Sequence, residues 1–164
     1  MYDVSVPVFS ERLKALGIVL AKAEANAVER KIDPQTFLTA RLAPDMLTLT
    51  SQVQIATDSA KGAPCRLAGR EVPRYEDNET TFAELHARLA KTRDLLATFT
   101  PADFEGSDER TIAMKLGSYD IQMPGLRYLL DVAMPNFYFH VTTAYAILRH
   151  NGVPLGKANF LGRE

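Results

Sequence analysis

At 164 residues the chain can build one core of ordinary domain size, and 46% hydrophobic with 24% charged residues is a globular composition. Net charge is −1 with acids and bases interleaved, so no basic block is available for a phosphate backbone and no nucleic-acid role is expected. No apolar run approaches a membrane span, Cys65 is the only cysteine, and the opening Met1-Tyr2-Asp3-Val4 lacks a leader's basic start and apolar stretch. The expected compartment is therefore the cytoplasm, with no membrane contact and no disulfide.

The first long helix is expected over residues 6 to 31, opened by Ser5 and Pro7. Phe9, Leu13, Leu16, Leu20, Ala23 and Ala27 form its apolar stripe, with Glu11, Lys14, Lys22 and Glu24 toward water. Asp33-Pro34 redirects the chain into a short helical turn from Gln35 to Thr39. A second long helix is expected from about Pro44 to Leu67, on the stripe Met46, Leu49, Val53, Ala56, Ala60, Ala63 and Leu67. Its small alanines imply close approach to a neighbouring helix. Pro64 lies inside the pattern and is expected to kink the helix or end it early. Residues 70 to 80 are charged and aperiodic and form a connecting loop.

The third long helix has the clearest start. Thr81-Phe82-Ala83-Glu84 is a capping box, and Phe82, Leu85, Leu89, Thr92, Leu96 and Phe99 carry the stripe to about residue 99. Ile112, Met114 and Leu116 then alternate, and Gly117-Ser118 suits a tight turn, so residues 111 to 116 and 118 to 123 predict a small β-hairpin. A short helix over 125 to 134 leads to the last long helix, from Pro135 to Gly152. Phe137, Val141, Ala144 and Leu148 form one row of that helix, and His140, Ala144 and Ile147 form the row beside it. The tail after Gly152 reads as an irregular, packed extension. The whole chain, 1–164, reads as a single all-α domain: a four-helix bundle with a small β-hairpin between helices three and four.

Three histidines are present. His86 falls one residue off its stripe and reads as a partly exposed surface residue. His150 occupies the last turn of its helix, where a donating side chain suits the dipole. About 15 Å of helix axis separates it from His140, too far for one shared ion. His140 faces inward among aromatics, either as a core residue with satisfied ring nitrogens or as the polar centre of a pocket. Asn136 lies one turn earlier on the same side, and Gln52, Gln54 and Asp58 are the polar residues of helix two. Gln52 borders the stripe, whereas Gln54 and Asp58 read as a pair on a solvated face. Tyr138 and Tyr145 line a flank of the last helix by packing or dimer contact. Cys65 has no nearby histidine to activate it and reads as an inert, partly buried thiol. Nucleophile-elbow, phosphate-loop, dinucleotide and zinc-protease motifs are absent.

Pro135 to Val153 (PNFYFHVTTAYAILRHNGV), together with Ala43-Pro44-Asp45-Met46, Ser51 to Ala56 (SQVQIA), Glu79-Thr80-Thr81-Phe82, Leu155-Gly156-Lys157 and Phe160-Leu161-Gly162, resembles an uncharacterised bacterial and fungal domain-of-unknown-function family. That family is grouped with the DinB/YfiT-like metalloenzymes. The resemblance implies a four-helix bundle and a homodimer. Metal-holding members of the group use three histidines, one on the second helix and two on the last, four residues apart. Carried over, these positions are Gln52, Asn136 and His140, of which only His140 keeps the ligand type. Amides are weak ligands for nickel or zinc beside imidazole, so no metal and no cofactor are expected.

Three readings follow. The first is a DinB-like bundle without the three-histidine site, binding a small molecule in a polar pocket formed by Gln52, Asn136 and His140. The second is a metal- or thiol-dependent transferase or hydrolase using His140. The third is a structural dimerisation domain.

Overall fold

The computed structural model describes residues 1–163. The first stripe becomes α1 (Val6–Arg30), with Phe9, Leu13, Leu16, Leu20, Ala23 and Ala27 all buried. The Ser5 hydroxyl does not cap it but donates to the Met1 carbonyl at 2.8 Å. α1 ends on Lys31, left-handed at φ 55°, where the Ile32 N–H reaches back to the Ala27 carbonyl at 2.9 Å. A single-turn helix, α2 (Gln35–Leu38), follows and buries Phe37 and Leu38.

The next long helix, α3 (Leu49–Leu67), starts five residues later than the pattern suggests. Thr48 is the reason: its backbone is extended and its hydroxyl accepts the Ser51 N–H at 3.3 Å, which fixes the first turn there. Pro64 does not end α3, which runs three residues further. Proline's fixed φ is helical, so only the Ala60 carbonyl loses its partner, and the Ala68 N–H still bonds the Pro64 carbonyl at 2.9 Å. Ala56, Ala60 and Ala63 are fully buried where α3 meets α6 (Met134–His150) and α4 (Phe82–Leu96).

The capping box at the start of α4 is present in both directions. α4 stops at Leu96, short of the expected residue 99. Phe99 stays buried through the turn that follows and meets Phe104 edge-on, at the end of a 3₁₀ turn (Pro101–Phe104).

Strands β1 (Thr111–Leu116) and β2 (Tyr119–Pro124) pair antiparallel, Ile112 opposite Met123 and Met114 opposite Ile121. The second strand starts one residue after the expected position. The side chain of Leu116, third in the expected alternation, lies outside the described set. From Gly125 to His150 the chain is helical throughout: α5 (Gly125–Tyr128), a π-helical turn (Leu129–Ala133), then α6. The wider turn stands directly upstream of Pro135, which has no N–H to offer the preceding turn.

Gly152 is left-handed at φ 87°, and the Val153 N–H bonds the Leu148 carbonyl, closing α6 as the sequence suggests. The tail is not wholly irregular. It holds a short helix, α7 (Lys157–Phe160), because the Asn159 side-chain oxygen accepts the Gly156 N–H at 2.9 Å. Arg12 of α1 then ties down the Phe160 and Leu161 carbonyls. The molecule is mostly helical with one two-stranded sheet. α3 lies between α4 and α6, and α1 packs on all three.

Candidate functional site

Gln52 and His140 project from α3 and α6 into the contact between them. His140 is 7% exposed and Gln52 is 1% exposed. The Gln52 amide nitrogen donates to the Leu47 carbonyl at 3.2 Å, which turns its oxygen toward the imidazole. That oxygen stands 2.7 Å from His140 Nδ1. An amide oxygen only accepts, so Nδ1 carries the proton and Nε2 keeps its lone pair. Burial pushes the His140 pKa below its ordinary value, which favours the same neutral form.

Asn136, one turn before His140, does not join this pair. Its amide nitrogen donates to Ser59 Oγ at 2.7 Å, a second bridge between the two helices. The bridge borders a cavity of about 170 Å³ whose polar lining is Asp58, Ser59, Arg66, Tyr128 and Asn136. Ile55 of α3, Val132 and Ala133 of the π-helical turn and Met114 of β1 complete its wall, and Gln52 and His140 are not part of it. Arg66 Nη1 donates to the Tyr128 hydroxyl at 3.2 Å. Tyr128 is buried, and desolvation raises its pKa despite the neighbouring guanidinium.

A family model described as a domain of unknown function, DUF1993, matches residues 1–161. The chain belongs to the DUF1993 family. The crystal structure of a DinB family member protein from Shewanella denitrificans is similar to it, with 43% identity and a TM-score of 0.91. The similarity covers 99% of this chain and 92% of that one. No curated protein matches. DUF1993 is thus an uncharacterised, DinB-like family.

The donor set of this DUF1993 member does not fit a three-imidazole metal centre. Of the three side chains the resemblance points to, two are amides rather than imidazoles: the Gln52 oxygen already faces His140, and the Asn136 nitrogen donates to Ser59. Among the described residues no three His, Cys, Asp or Glu side chains are grouped to hold an ion.

The larger polar assembly was not legible as a site. Arg88 of α4 is 3% exposed, and its guanidinium donates to Thr57 Oγ1 at 2.6 Å, Asp58 Oδ1 at 2.9 Å and Glu79 Oε1 at 3.0 Å. Asp77 Oδ1 lies 3.0 Å away. Gln54 is buried and donates to Glu79 at 2.9 Å, and Asp58 also pairs with the buried Lys61. Gln54 and Asp58 therefore do not pair with each other: Gln54 is buried against Glu79 of the loop over residues 70 to 80, whereas Asp58 stays partly solvated and turns to Arg88 and Lys61. Tyr75 of that loop receives Lys61 and Lys91 on its ring at 4.1 and 4.3 Å. A cavity of about 530 Å³ opens beside it, lined in part by Arg74, Tyr75, Asn78, Arg88 and Lys91. One sequence signal was available: Arg88 stands three residues after Leu85 and four before Thr92, inside the apolar row of α4.

Burial raises the Glu79 pKa, but hydrogen bonds from Gln54 and Arg88 outweigh it and hold the carboxyl below its ordinary value. Cys65 is buried, and desolvation raises its thiol pKa. His86 is half-buried and His150 is exposed at the last turn of α6.

Proposed function

We propose that this DUF1993 protein is a single-domain, DinB/YfiT-like four-helix bundle, formed by α1, α3, α4 and α6, that binds a small molecule without a three-histidine metal site. The observation that carries this reading is the polar cavity beside Asn136, at the level where α3 and α6 are cross-linked by side chains rather than packed hydrocarbon. Such cavities between facing helices are where bundle proteins place ligands. Gln52 and His140 fix the register of the two helices farther along the same contact, and Asn136 meets the ligand.

A thermal-shift screen of small polar compounds tests it, with Asn136→Leu as the site variant and His86→Ala as the surface control. Compounds that raise the unfolding temperature of the parent and the control, but not of Asn136→Leu, support the cavity. Hits that persist unchanged in Asn136→Leu place the ligand elsewhere. Nickel, zinc or iron at one equivalent in gently purified protein would overturn the metal-free part.

A second reading makes His140 a general base. Gln52 holds the Nδ1 proton and leaves Nε2 unprotonated, as base catalysis requires. Loss of a measured activity in His140→Gln, with rate rising as the imidazole loses its proton, would favour it.

We also propose a cytoplasmic homodimer. Phe139 is exposed on α6, and Leu126 and Leu130 are exposed one turn apart in the helical run that precedes it; a second copy would cover such apolar side chains. No described helix is long and apolar enough to cross a membrane.

A further inference from the structure

Hydrogen-bond chemistry in the α3–α6 cavity selects one class of ligand. Arg66 is its uncompensated charge: among the described residues it donates to Tyr128 and forms no ion pair. Asp58, the acid in the same wall, is already held by Lys61 and Arg88. The Tyr128 oxygen accepts from Arg66 and the Ser59 oxygen accepts from Asn136. Each hydroxyl therefore keeps its own proton to donate. Cation and donors together call for an acceptor-only anion.

Gly62 supplies an independent observation. A Cβ at that position would overlap Arg66 Nη1, so the guanidinium lies folded over the glycine of its own helix. Glycine in a helix interior is destabilising relative to alanine. Here its missing side chain gives Arg66 the space that keeps it beside Tyr128.

We propose that this cavity binds a small monocarboxylate, with Arg66 as its cationic receptor and the Tyr128 and Ser59 hydroxyls as further donors. The planar guanidinium fork matches a carboxylate. The Asp58 carboxylate in the same wall works against a dianion such as phosphate. A cavity of about 170 Å³ admits a short-chain acid rather than a long one. This assignment rests on the cavity reading above and names its ligand class.

The test titrates the full chain with propionate, with neutral propionamide and with inorganic phosphate at constant ionic strength, following amide NMR shifts. Propionate is expected to shift Ser59, Tyr128 and Asn136 saturably, and propionamide and phosphate are not. Arg66→Gln should weaken propionate binding about tenfold or more, the loss typical of a charge-assisted contact. Gly62→Ala should weaken it similarly by displacing the guanidinium, while its unfolding temperature stays at or above the parent's. That stability keeps the loss from being one of folding. Equal binding of propionate and propionamide, unaffected by Arg66→Gln, or a preference for phosphate, overturns the carboxylate but leaves a ligand cavity. If none of the probes moves the cavity resonances, the carboxylate assignment fails, and the thermal-shift screen with Asn136→Leu decides the cavity reading separately.

Discussion

His140 Nδ1 and the Gln52 side-chain oxygen stand 2.7 Å apart across the α3–α6 contact, and the Leu47 carbonyl decides which end of the amide faces the ring. The glutamine, held by its own backbone, thereby sets the tautomer of a histidine 88 residues away in sequence.

Removing that acceptor has a defined cost. Gln52→Leu fills the contact with an apolar side chain of similar size but leaves the His140 Nδ1–H without its partner. A loss of about 1–3 kcal/mol in unfolding free energy is expected from urea denaturation. Gln52→Glu should instead raise the imidazole pKa by placing a carboxylate beside it, read by NMR titration of the ring protons.

Acid should weaken the fold in two windows. Burial lowers the folded pKa of His140 from the ordinary 6.5, so between the two values the unfolded chain binds more protons. Stability from this group is complete above 6.5 and falls as pH drops below it. Glu79 is also lowered, from 4.5, so its contribution is present above that value and disappears as pH falls through the folded pKa. Denaturation midpoints across the acid range should show His140→Gln flattening the first fall and Glu79→Gln the second. Unchanged profiles in both variants would refute the assignment.

Arg88→Leu should be among the most damaging single changes. It strips Glu79 of its cation and leaves Thr57 and Asp58 without their shared donor. Breaking a buried pair on one side typically costs 3–5 kcal/mol, and about 3 kcal/mol is expected here because Asp58 is partly solvated. Faster amide exchange and proteolysis within residues 70 to 80 should accompany it, since this loop is anchored through Asp77, Glu79 and the Glu76 carbonyl. Arg88→Lys should not restore it, because one ammonium cannot reach the same spread of acceptors.

Gly125→Ala tests the junction between β2 and α5. A Cβ at Gly125 would overlap the Ser107 carbonyl oxygen and lie 2.9 Å from Leu67 Cδ2. Backbone cannot swing aside as a flexible side chain can. A loss of about 1–3 kcal/mol is expected, seen as a lower unfolding temperature.

Phe139 is 56% exposed, and if it belongs to a dimer contact, Phe139→Ser should convert a light-scattering dimer to monomer without lowering helicity. A parent protein that is monomeric at micromolar concentration would end the dimer proposal.

Repetition carried the legible part of this protein. Phe9 to Ala27, Leu49 to Leu67, Phe82 to Leu96 and Phe137 to Leu148 each recur at the helical period, so local spacing was enough to place four long helices and their buried faces. Thr81 with Glu84 and Gly152 with Val153 are likewise contacts within a turn or two. The same local logic put His140 on an inward face and Gln52 only at the border of one, although Gln52 is the more deeply buried of the two. It could not say that Asn136 would turn to Ser59, that Arg66 would fold over Gly62 toward Tyr128, or that residues 70 to 80 would seal Gln54 under Arg88. Those contacts join residues 4 to 77 positions apart, and a side chain's choice among several near neighbours is set by which partner the assembled helices bring within hydrogen-bond reach. Periodicity specifies a face. Only packing specifies the atom it meets.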